Sequence, residues 1–427
     1  MSHRNLPSGR LGRMARLAAL GARTGASMVL SGRGEGAAQQ AAEVLGSLRG
    51  LAAKVGQMAS YVDGMVPEAH RDAYENALSK LRAAAPRSSP EAIRALVESE
   101  LDAPIDRLFA EWDDEPFASA SIGQVHRARL EDGRLVAVKV QHPGIERAVE
   151  SDLQNVSVLE RMMALAGPST LETKRVFDEV AERFREELDY RLEAEHQRHF
   201  ARVHAEDERI RIPEVMPARS SRRVLTSELV EGLSLEQAAL RSEGERRAWA
   251  ETLWRFVFKG NLVGGRFNAD PHPGNYLFRD GGSIWFLDFG CVQPIEPARR
   301  AAALELHLVA LAGDSGAFPA AASAVIGSRA GPYEDAAVAY TRRCFAPLFE
   351  APYHITRGYV ASLVDDARDM KRHLFSKDSG FVQMPPGMVL INRLQFGFYS
   401  VLARLDVSVD YARIERDFLG EAGLLAR

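Results

Sequence analysis

Two aspartates and an asparagine crowd into the stretch FNADPHPGNYLFRDGGSIWFLDFGC, Phe267 to Cys291. Asp270 and Asn275 form an Asp-x4-Asn pair, and Asp288 opens Asp-Phe-Gly. Phosphoryl transfer needs such a set: one aspartate near the acceptor, an asparagine on one Mg²⁺, and a second aspartate on the metal that bridges the phosphates. The intervening residues suit the task of holding them. Pro271 and Pro273 stiffen the loop, and Gly274 relieves the turn ahead of Asn275. Arg279-Asp280-Gly281-Gly282 closes a hairpin, after which Ser283–Leu287 reads as a buried strand delivering Asp288. Asp-Phe-Gly alone arises by chance. Asp-x4-Asn followed by a strand and then Asp-Phe-Gly is much rarer, and ordinary loop carboxylates are the plain alternative.

A lysine earlier in the chain fits the same chemistry. Phe117–Leu130, the turn Glu131-Asp132-Gly133 and Arg134–Val140 read as a β-hairpin. Val136, Val138 and Val140 alternate with Leu135, Ala137 and Lys139, so Lys139 points to the face that carries small Ala137. A lysine so placed, after a small-residue loop, suits the α- and β-phosphates of a nucleotide; taken alone it would be a solvated edge lysine. The loop is Ala118-Ser119-Ala120-Ser121-Ile122-Gly123-Gln124, where a glycine-rich loop would be expected to cover the phosphates. Alanine cannot reach the backbone conformations open to glycine. A stiffer loop with a different pattern of amide donors is expected.

Between these segments Ile145–Ala166 reads as a helix, and Arg175–His204 as a second, long one. Glu187, Tyr190 and Glu193 lie within reach of one face of it, where an acid is placed to pair with Lys139; a solvated acidic face is the bland reading. Ile210–Pro213 and Arg223–Val230 read as strands. The second ends at Glu231-Gly232, a hinge whose backbone would meet adenine, with Glu228 and Val230 as candidate contacts. From Leu235 onward the pattern is mainly helical, with Trp249, Leu253, Phe256 and Val257 packing behind the Asp270 stretch.

At 427 residues the chain can bury two or three sizeable cores, and 46% hydrophobic with 26% charged residues is ordinary globular composition. The net charge of −4 makes no case for nucleic acid. Cys291 and Cys344 are the two cysteines, too few for a disulfide framework and in keeping with a reducing compartment. Neither a CxxC nor an HExxH motif occurs, which argues against structural zinc. The most apolar window, Ala301–Ile326, is broken by Glu305, His307 and Asp314, so no membrane span is read. Residues 1–36 form a basic segment and linker, with six arginines ahead of Glu35 and Leu11, Met14, Leu17 and Leu20 at helical spacing. A helix touching anionic lipid, an organelle presequence and a frayed terminus are its three readings. A helical stripe over Ala37–Leu101 contains Lys54-Val55-Gly56-Gln57, with Gly56 an odd choice inside a helix. Ser88-Ser89-Pro90-Glu91 reads as a linker and cap into a further helix.

With Lys-x-Gly-Gln, Ser-Ile-Gly-Gln-Val-His, Val-Ala-Val-Lys, Glu-x-Asp, Ala-Asp-Pro-His-Pro-Gly-Asn and Asp-Phe-Gly in this order, the sequence resembles the AarF/UbiB family of atypical kinases, over about Leu48 to Gln293. The resemblance implies an α+β, bilobal protein-kinase-like fold: a helical extension at 37–115, an N-lobe at 116–232 and a mainly helical C-lobe at 233–427. It further implies that ATP and Mg²⁺ are the cofactors. Lys139 contacts the phosphates and pairs with Glu193, Asn275 and Asp288 hold the metal, and Asp270 takes the catalytic-loop position. Lys54 and Gln57 belong to the extension, which occupies the space of a protein substrate, and Glu187, Asp189, Asp270 and Asp288 are their nearest acidic candidates. Asn268 stands where many relatives have His. Unlike some bacterial relatives the sequence shows no C-terminal membrane pair, so a cytoplasmic or peripheral-membrane location is expected, a presequence remaining open.

The expected activity is that of an Mg²⁺-dependent ATPase or atypical kinase in an isoprenoid-lipid, ubiquinone-like pathway, with a lipid or quinone precursor as ligand. A nucleotide-binding pseudokinase scaffold and a small-molecule phosphotransferase are the alternatives. The set Lys139, Asp270, Asn275 and Asp288 favours chemistry over scaffolding, and the Lys-Val-Gly-Gln helix argues against the small-molecule branch.

Overall fold

The computed structural model describes residues 88–120, 122–147, 149–150, 185–373 and 388–425. Lys54, Gln57 and Ser121 lie outside them. Two compact units emerge: Met1–Arg191 with Met216–Ser227, and Leu192–Val215 with Glu228–Arg427.

The first unit opens with helix α1 (Pro90–Leu101), started by Ser89, whose side chain accepts from the Ala92 N–H, and by a proline in the first turn. A short helix α2 (Ile105–Leu108) leads to strands β1 (Glu111–Trp112), β2 (Ala118–Ser119), β3 (Gly123–Arg129) and β4 (Leu135–Gln141). Helix α3 (Tyr190–Val203) and strand β5 (Ile210–Arg211) then pass into the second unit, and β6 (Val224–Glu228) returns to the first. The sheet runs β1-β3-β4-β6, with β2 paired to β3. β3 and β4 form the expected antiparallel hairpin, with Val125 opposite Lys139, turning at Gly133 in the left-handed region. Val136, Val138 and Val140 are wholly buried, in one cluster with Ile93 and Val97 of α1. Their alternation puts Ala137 and Lys139 on the opposite face, half-buried.

The long helix expected over Arg175–His204 is not continuous. Residues 185–187 are helical and α3 starts at Tyr190, but Leu188 and Asp189 are not helical. Here tertiary hydrogen bonds override helix propensity. The Leu188 carbonyl accepts from buried Gln141 Nε2 at 3.0 Å, and the Tyr190 N–H donates to the Arg222 carbonyl at 2.9 Å. Asp189 accepts from the Arg191 N–H at 3.0 Å and from its guanidinium at 2.8 and 2.6 Å. Glu187 and Glu193 therefore do not share the face of one helix; they fall in different units.

The second unit is mainly helical. It contains α4 (Leu235–Ala238), α5 (Glu243–Leu262), β7 (Arg266–Asn268), β8 (Tyr276–Phe278), β9 (Ile284–Phe286) and β10 (Val292–Pro294). Then follow α6 (Pro297–Leu311), α7 (Phe318–Ile326), α8 (Pro332–Cys344), α9 (Ala346–Phe349), β11 (Tyr353–His354), α10 (Arg357–Arg372), α11 (Met388–Leu405), β12 (Ser408–Val409) and α12 (Tyr411–Glu421). The apolar window Ala301–Ile326 is thus split between α6 and α7. Among the described residues no helix is long and apolar enough to cross a membrane. The central helix α5 is started by a reciprocal cap between Ser242 and Glu245. It buries Trp249, Leu253, Trp254 and Phe256, and helices beyond residue 300 complete the same core. β8 and β9 form the expected hairpin through Gly281 and Gly282, both at positive φ. Ala248 of α5 leaves no room for a side chain on Gly282, and Thr252 Oγ1 donates to the Gly282 carbonyl at 2.7 Å. The strand that delivers Asp288 is thereby pinned to the central helix.

Candidate active site

In the second unit, β7 ends where the Asp270 loop begins and β9 ends where Asp288 begins. Asn268, the last residue of β7, joins the two. Its Nδ2 donates to the Asp288 carbonyl at 2.6 Å, and its Oδ1 accepts from the Asp270 N–H at 3.0 Å. Sequence reading noted Asn268 only as a departure from the family pattern. One donor and one acceptor on a short side chain do the bracing, and a neutral imidazole carries the same pair.

Asn275 closes the loop from its other end. A single 3-10 turn, Pro273–Asn275, is capped by His272. Asn275 Nδ2 then donates to the Asp270 carbonyl at 3.0 Å and to Asp270 Oδ2 at 3.1 Å. The Asn275 carbonyl accepts from the Leu287 N–H at 3.1 Å. With its NH₂ turned to Asp270, Asn275 is left with an amide oxygen to offer as a ligand. Buried Tyr276 follows; burial first, and then the charge of Asp270, push its hydroxyl pKa well above the ordinary tyrosine range.

Asp288 Oδ1 accepts from the Gly290 N–H at 2.8 Å. A side chain on Gly290 would stand 3.2 Å from Asp288 Oδ1 and 3.4 Å from Glu193 Oε2. Glu193, buried on α3, is therefore brought beside Asp288. Helix α3 is held there by packing and a contact to the backbone. Phe289 is fully buried with its ring 5.3 Å from that of Phe200, and its carbonyl meets His196 Nδ1 at 3.3 Å. Sequence reading missed His196 and Phe200, whose spacing from Glu193 on one helix face was the available signal.

The hinge candidates Glu228 and Val230 line a cavity of about 520 Å³ in the second unit, together with Gly232, Arg241, Phe278 and Trp285. The N–H groups of Leu229, Val230, Glu231 and Gly232 make no hydrogen bond among the described residues. The Trp285 indole N–H, buried beside them, has none either.

In the first unit, Lys139 Nζ lies 5.1 Å from the centre of the Tyr190 ring, in cation–π range. Ala118 and Ser119 pair with Val125 and Gln124, and the Ala120 N–H is used within the turn, donating to the Gly123 carbonyl at 2.9 Å. Ile122 is buried, and Gly123 cannot carry a side chain, because one would overlap the Val140 carbonyl. Gln124 and His126 turn inward instead. Gln124 Oε1 accepts from the Ser88 N–H at 3.0 Å, and its Nε2 lies 2.9 Å from His126 Nε2. His126 Nδ1 reaches the Asp113 carbonyl at 2.8 Å, and burial holds the ring pKa below its ordinary value. The Gly-Gln-Val-His part of the motif is thus a buried structural file. Asp189, an expected partner of Lys54 and Gln57, is engaged by Arg191, whose hydrogen bonds hold its pKa below the usual carboxylate range.

Mg²⁺ takes hard oxygen donors and keeps several waters. The Asp288 carboxylate and the Asn275 amide oxygen suit it. No group of three or more His, Cys, Asp or Glu side chains arranged to hold a metal occurs among the described residues. The donor set therefore fits a cation shared with phosphate oxygens better than one caged by protein.

A family model described as the ABC1 atypical kinase-like domain matches residues 80–319. The Arabidopsis thaliana protein ACTIVITY OF BC1 COMPLEX KINASE 7, chloroplastic, is 34% identical over 257 residues, covering 59% of this chain and 36% of its own length. Gallus gallus AarF domain-containing protein kinase 1 is 30% identical over 284 residues, covering 65% of this chain and 54% of its own. An uncharacterized Synechocystis protein is 34% identical over 279 residues, covering 63% and 40%. The chain spans about half or less of the length of these curated relatives. Among solved structures, a Mycobacterium tuberculosis protein in complex with erythromycin superposes with a TM-score of 0.61 at 24% identity, over 95% of this chain and 98% of that one. That likeness is one of fold.

Proposed function

This chain belongs to the ABC1 atypical kinase-like family, and from that premise we propose that it binds MgATP and transfers or hydrolyses its γ-phosphoryl group in an isoprenoid-lipid, ubiquinone-like pathway. The observation that carries the reading is the bracing of Asp270, Asn275 and Asp288 by one another and by Asn268. A scaffold that merely bound nucleotide would have no use for two aspartates held in register by the four hydrogen bonds of the Asn268 and Asn275 side chains.

Asp288 and the Asn275 amide oxygen would hold Mg²⁺, which when bound neutralises charge on the β- and γ-phosphates. Asp270 orients the attacking hydroxyl or water and takes its proton as the new P–O bond forms and the β,γ-bridging oxygen leaves with ADP. The Asn275 N–H on Asp270 Oδ2 fixes which carboxylate oxygen stays available for that proton. Lys139 serves the α- and β-phosphates, and Glu193 keeps the role that the resemblance implies for it. The N–H groups from Leu229 to Gly232, without a hydrogen bond among the described residues, supply donors for the base. Membrane contact, where it occurs, is peripheral.

The test is ADP release by the purified full chain with Mg²⁺, with and without anionic vesicles carrying a quinone precursor. Asp288→Asn is the control. Release that needs Mg²⁺ and is lost in Asp288→Asn supports the reading. Calorimetry showing equal MgATP affinity for wild type and Asp288→Asn would overturn the metal assignment. Tight nucleotide binding with no ADP release under either condition would leave the scaffold.

A further inference from the structure

Helix α11 lies where the sequence carries no motif, yet it touches the Asp270 loop. A side chain built on Gly397 would overlap Pro271 Cγ far inside the 3.0 Å that Cβ contacts keep, and would stand 3.5 Å from Pro271 Cβ and 3.6 Å from its Cδ. Pro271 is buried and follows Asp270 directly. A glycine inside a helix is destabilising relative to alanine. Gly397 has no left-handed backbone to justify that cost, so the close approach is what requires it.

We propose that Gly397 is a positioning residue, which lets α11 stand directly behind the Pro271 ring as the fixed stop that sets where Asp270 sits. The inference rests on the phosphoryl-transfer reading, which gives Asp270 its proton to take. Neither side of the contact can yield cheaply. Behind Gly397, the rings of Phe398 and Tyr399 pack 6.0 and 6.1 Å from Trp254, and Tyr399 Oη donates to the Cys344 carbonyl at 3.0 Å. Arg404 pairs with Glu236 at 2.7 Å, and Arg246 donates to the Leu405 and Asp406 carbonyls at the end of the helix. Ahead of it, the proline ring has no rotamers to escape into, and Asn268 and Asn275 hold Asp270 on both sides. An added methyl must therefore push the loop against its own hydrogen bonds, displacing the Asp270 carboxylate while leaving Lys139 and the hinge segment untouched.

The experiment is a cycle of Gly397→Ala, Pro271→Ala and the double variant in the full chain, read in turnover, MgATP affinity and Tm. Gly397→Ala is expected to lower kcat about tenfold or more, because small misplacements of a reacting group are costly. MgATP affinity by calorimetry should stay within about twofold, the split expected for a contact that matters to chemistry and not to binding. On the Pro271→Ala background, where the ring carbon is gone, the same change should cost less than about threefold. Equal losses on both backgrounds, or a kcat within about twofold of wild type for Gly397→Ala, would overturn the proposal. If Gly397→Ala fails to fold, recovery of folding in the double variant supports the steric stop, and no recovery overturns it. A wild type that releases no ADP defeats the phosphoryl-transfer reading instead. The cycle in Tm still reports whether helix and loop are coupled through this contact.

Discussion

Replacing Asn268 separates bracing from chemistry more cleanly than replacing the aspartates themselves. In Asn268→Ala the Asp288 carbonyl loses a 2.6 Å donor and the Asp270 N–H loses a 3.0 Å acceptor. Both bonds are half-buried, so water recovers part of each, and about 1 kcal/mol per bond is the expected loss. For a unit of this size about 2 kcal/mol lowers Tm by roughly 4 to 8 °C. Turnover should fall further than stability, by up to about 100-fold, because the two aspartates are freed to drift relative to one another. Asn268→His is the sharper variant. A neutral imidazole offers one donor and one acceptor and can span the same two groups. It should keep most of the turnover above its pKa of about 6.5. Below that pH both ring nitrogens donate, the Asp270 N–H loses its acceptor, and turnover should drop in a way the wild type does not show. Steady-state ADP release from pH 5 to 8, beside thermal melts of all three proteins, decides the matter. An Asn268→Ala protein with wild-type turnover, or an Asn268→His profile parallel to wild type throughout, would refute the bracing argument.

Buried Asp207 should govern acid stability. Burial alone would raise its pKa, but hydrogen bonds from His204 at 2.9 Å and Lys259 at 2.7 Å, with Arg255 at 2.6 Å, outweigh it and hold the carboxyl far below its ordinary value. A depressed folded-state pKa stabilises above the unfolded value of about 4 and loses that contribution as pH falls below it. Asp207→Asn should therefore flatten the acid limb of Tm against pH, and an unchanged slope would refute the assignment. Glu415, with no exposure at all, accepts from Trp254 Nε1 at 3.0 Å and meets His307 Nδ1 at 2.7 Å. Glu415→Ala should cost about 3 kcal/mol in urea unfolding and Glu415→Gln clearly less, since an amide can still serve both partners. Ala120→Gly should change ATP or ADP affinity severalfold by loosening the Ala120–Gly123 turn, at a stability cost below about 1 kcal/mol. Unchanged binding of both nucleotides would separate that turn from the phosphates.

What the amino-acid sequence determined by itself was local. Alternation placed Lys139 opposite the buried valines because a strand allows only two faces. Ser89 with Pro90 marked the start of α1 because capping is a contact between near neighbours. Gly281 and Gly282 marked the hairpin before Asp288 because only glycine tolerates those turns readily. Motif order sufficed for the family, and with it the kinase-like fold. Tertiary structure decided whatever depends on partners far away in the chain. A helical pattern across Leu188 and Asp189 gave way to hydrogen bonds from Gln141 and to Arg222. Gln124, read at the end of a candidate phosphate loop, and His126 beyond it went to the interior to satisfy one another, Ser88 and Asp113. Gly397 has no signature, since nothing in its neighbours announces that Pro271 will lie against it. Propensity and alternation act over a turn or a strand, whereas a buried polar group must take its partner wherever the packed chain brings one.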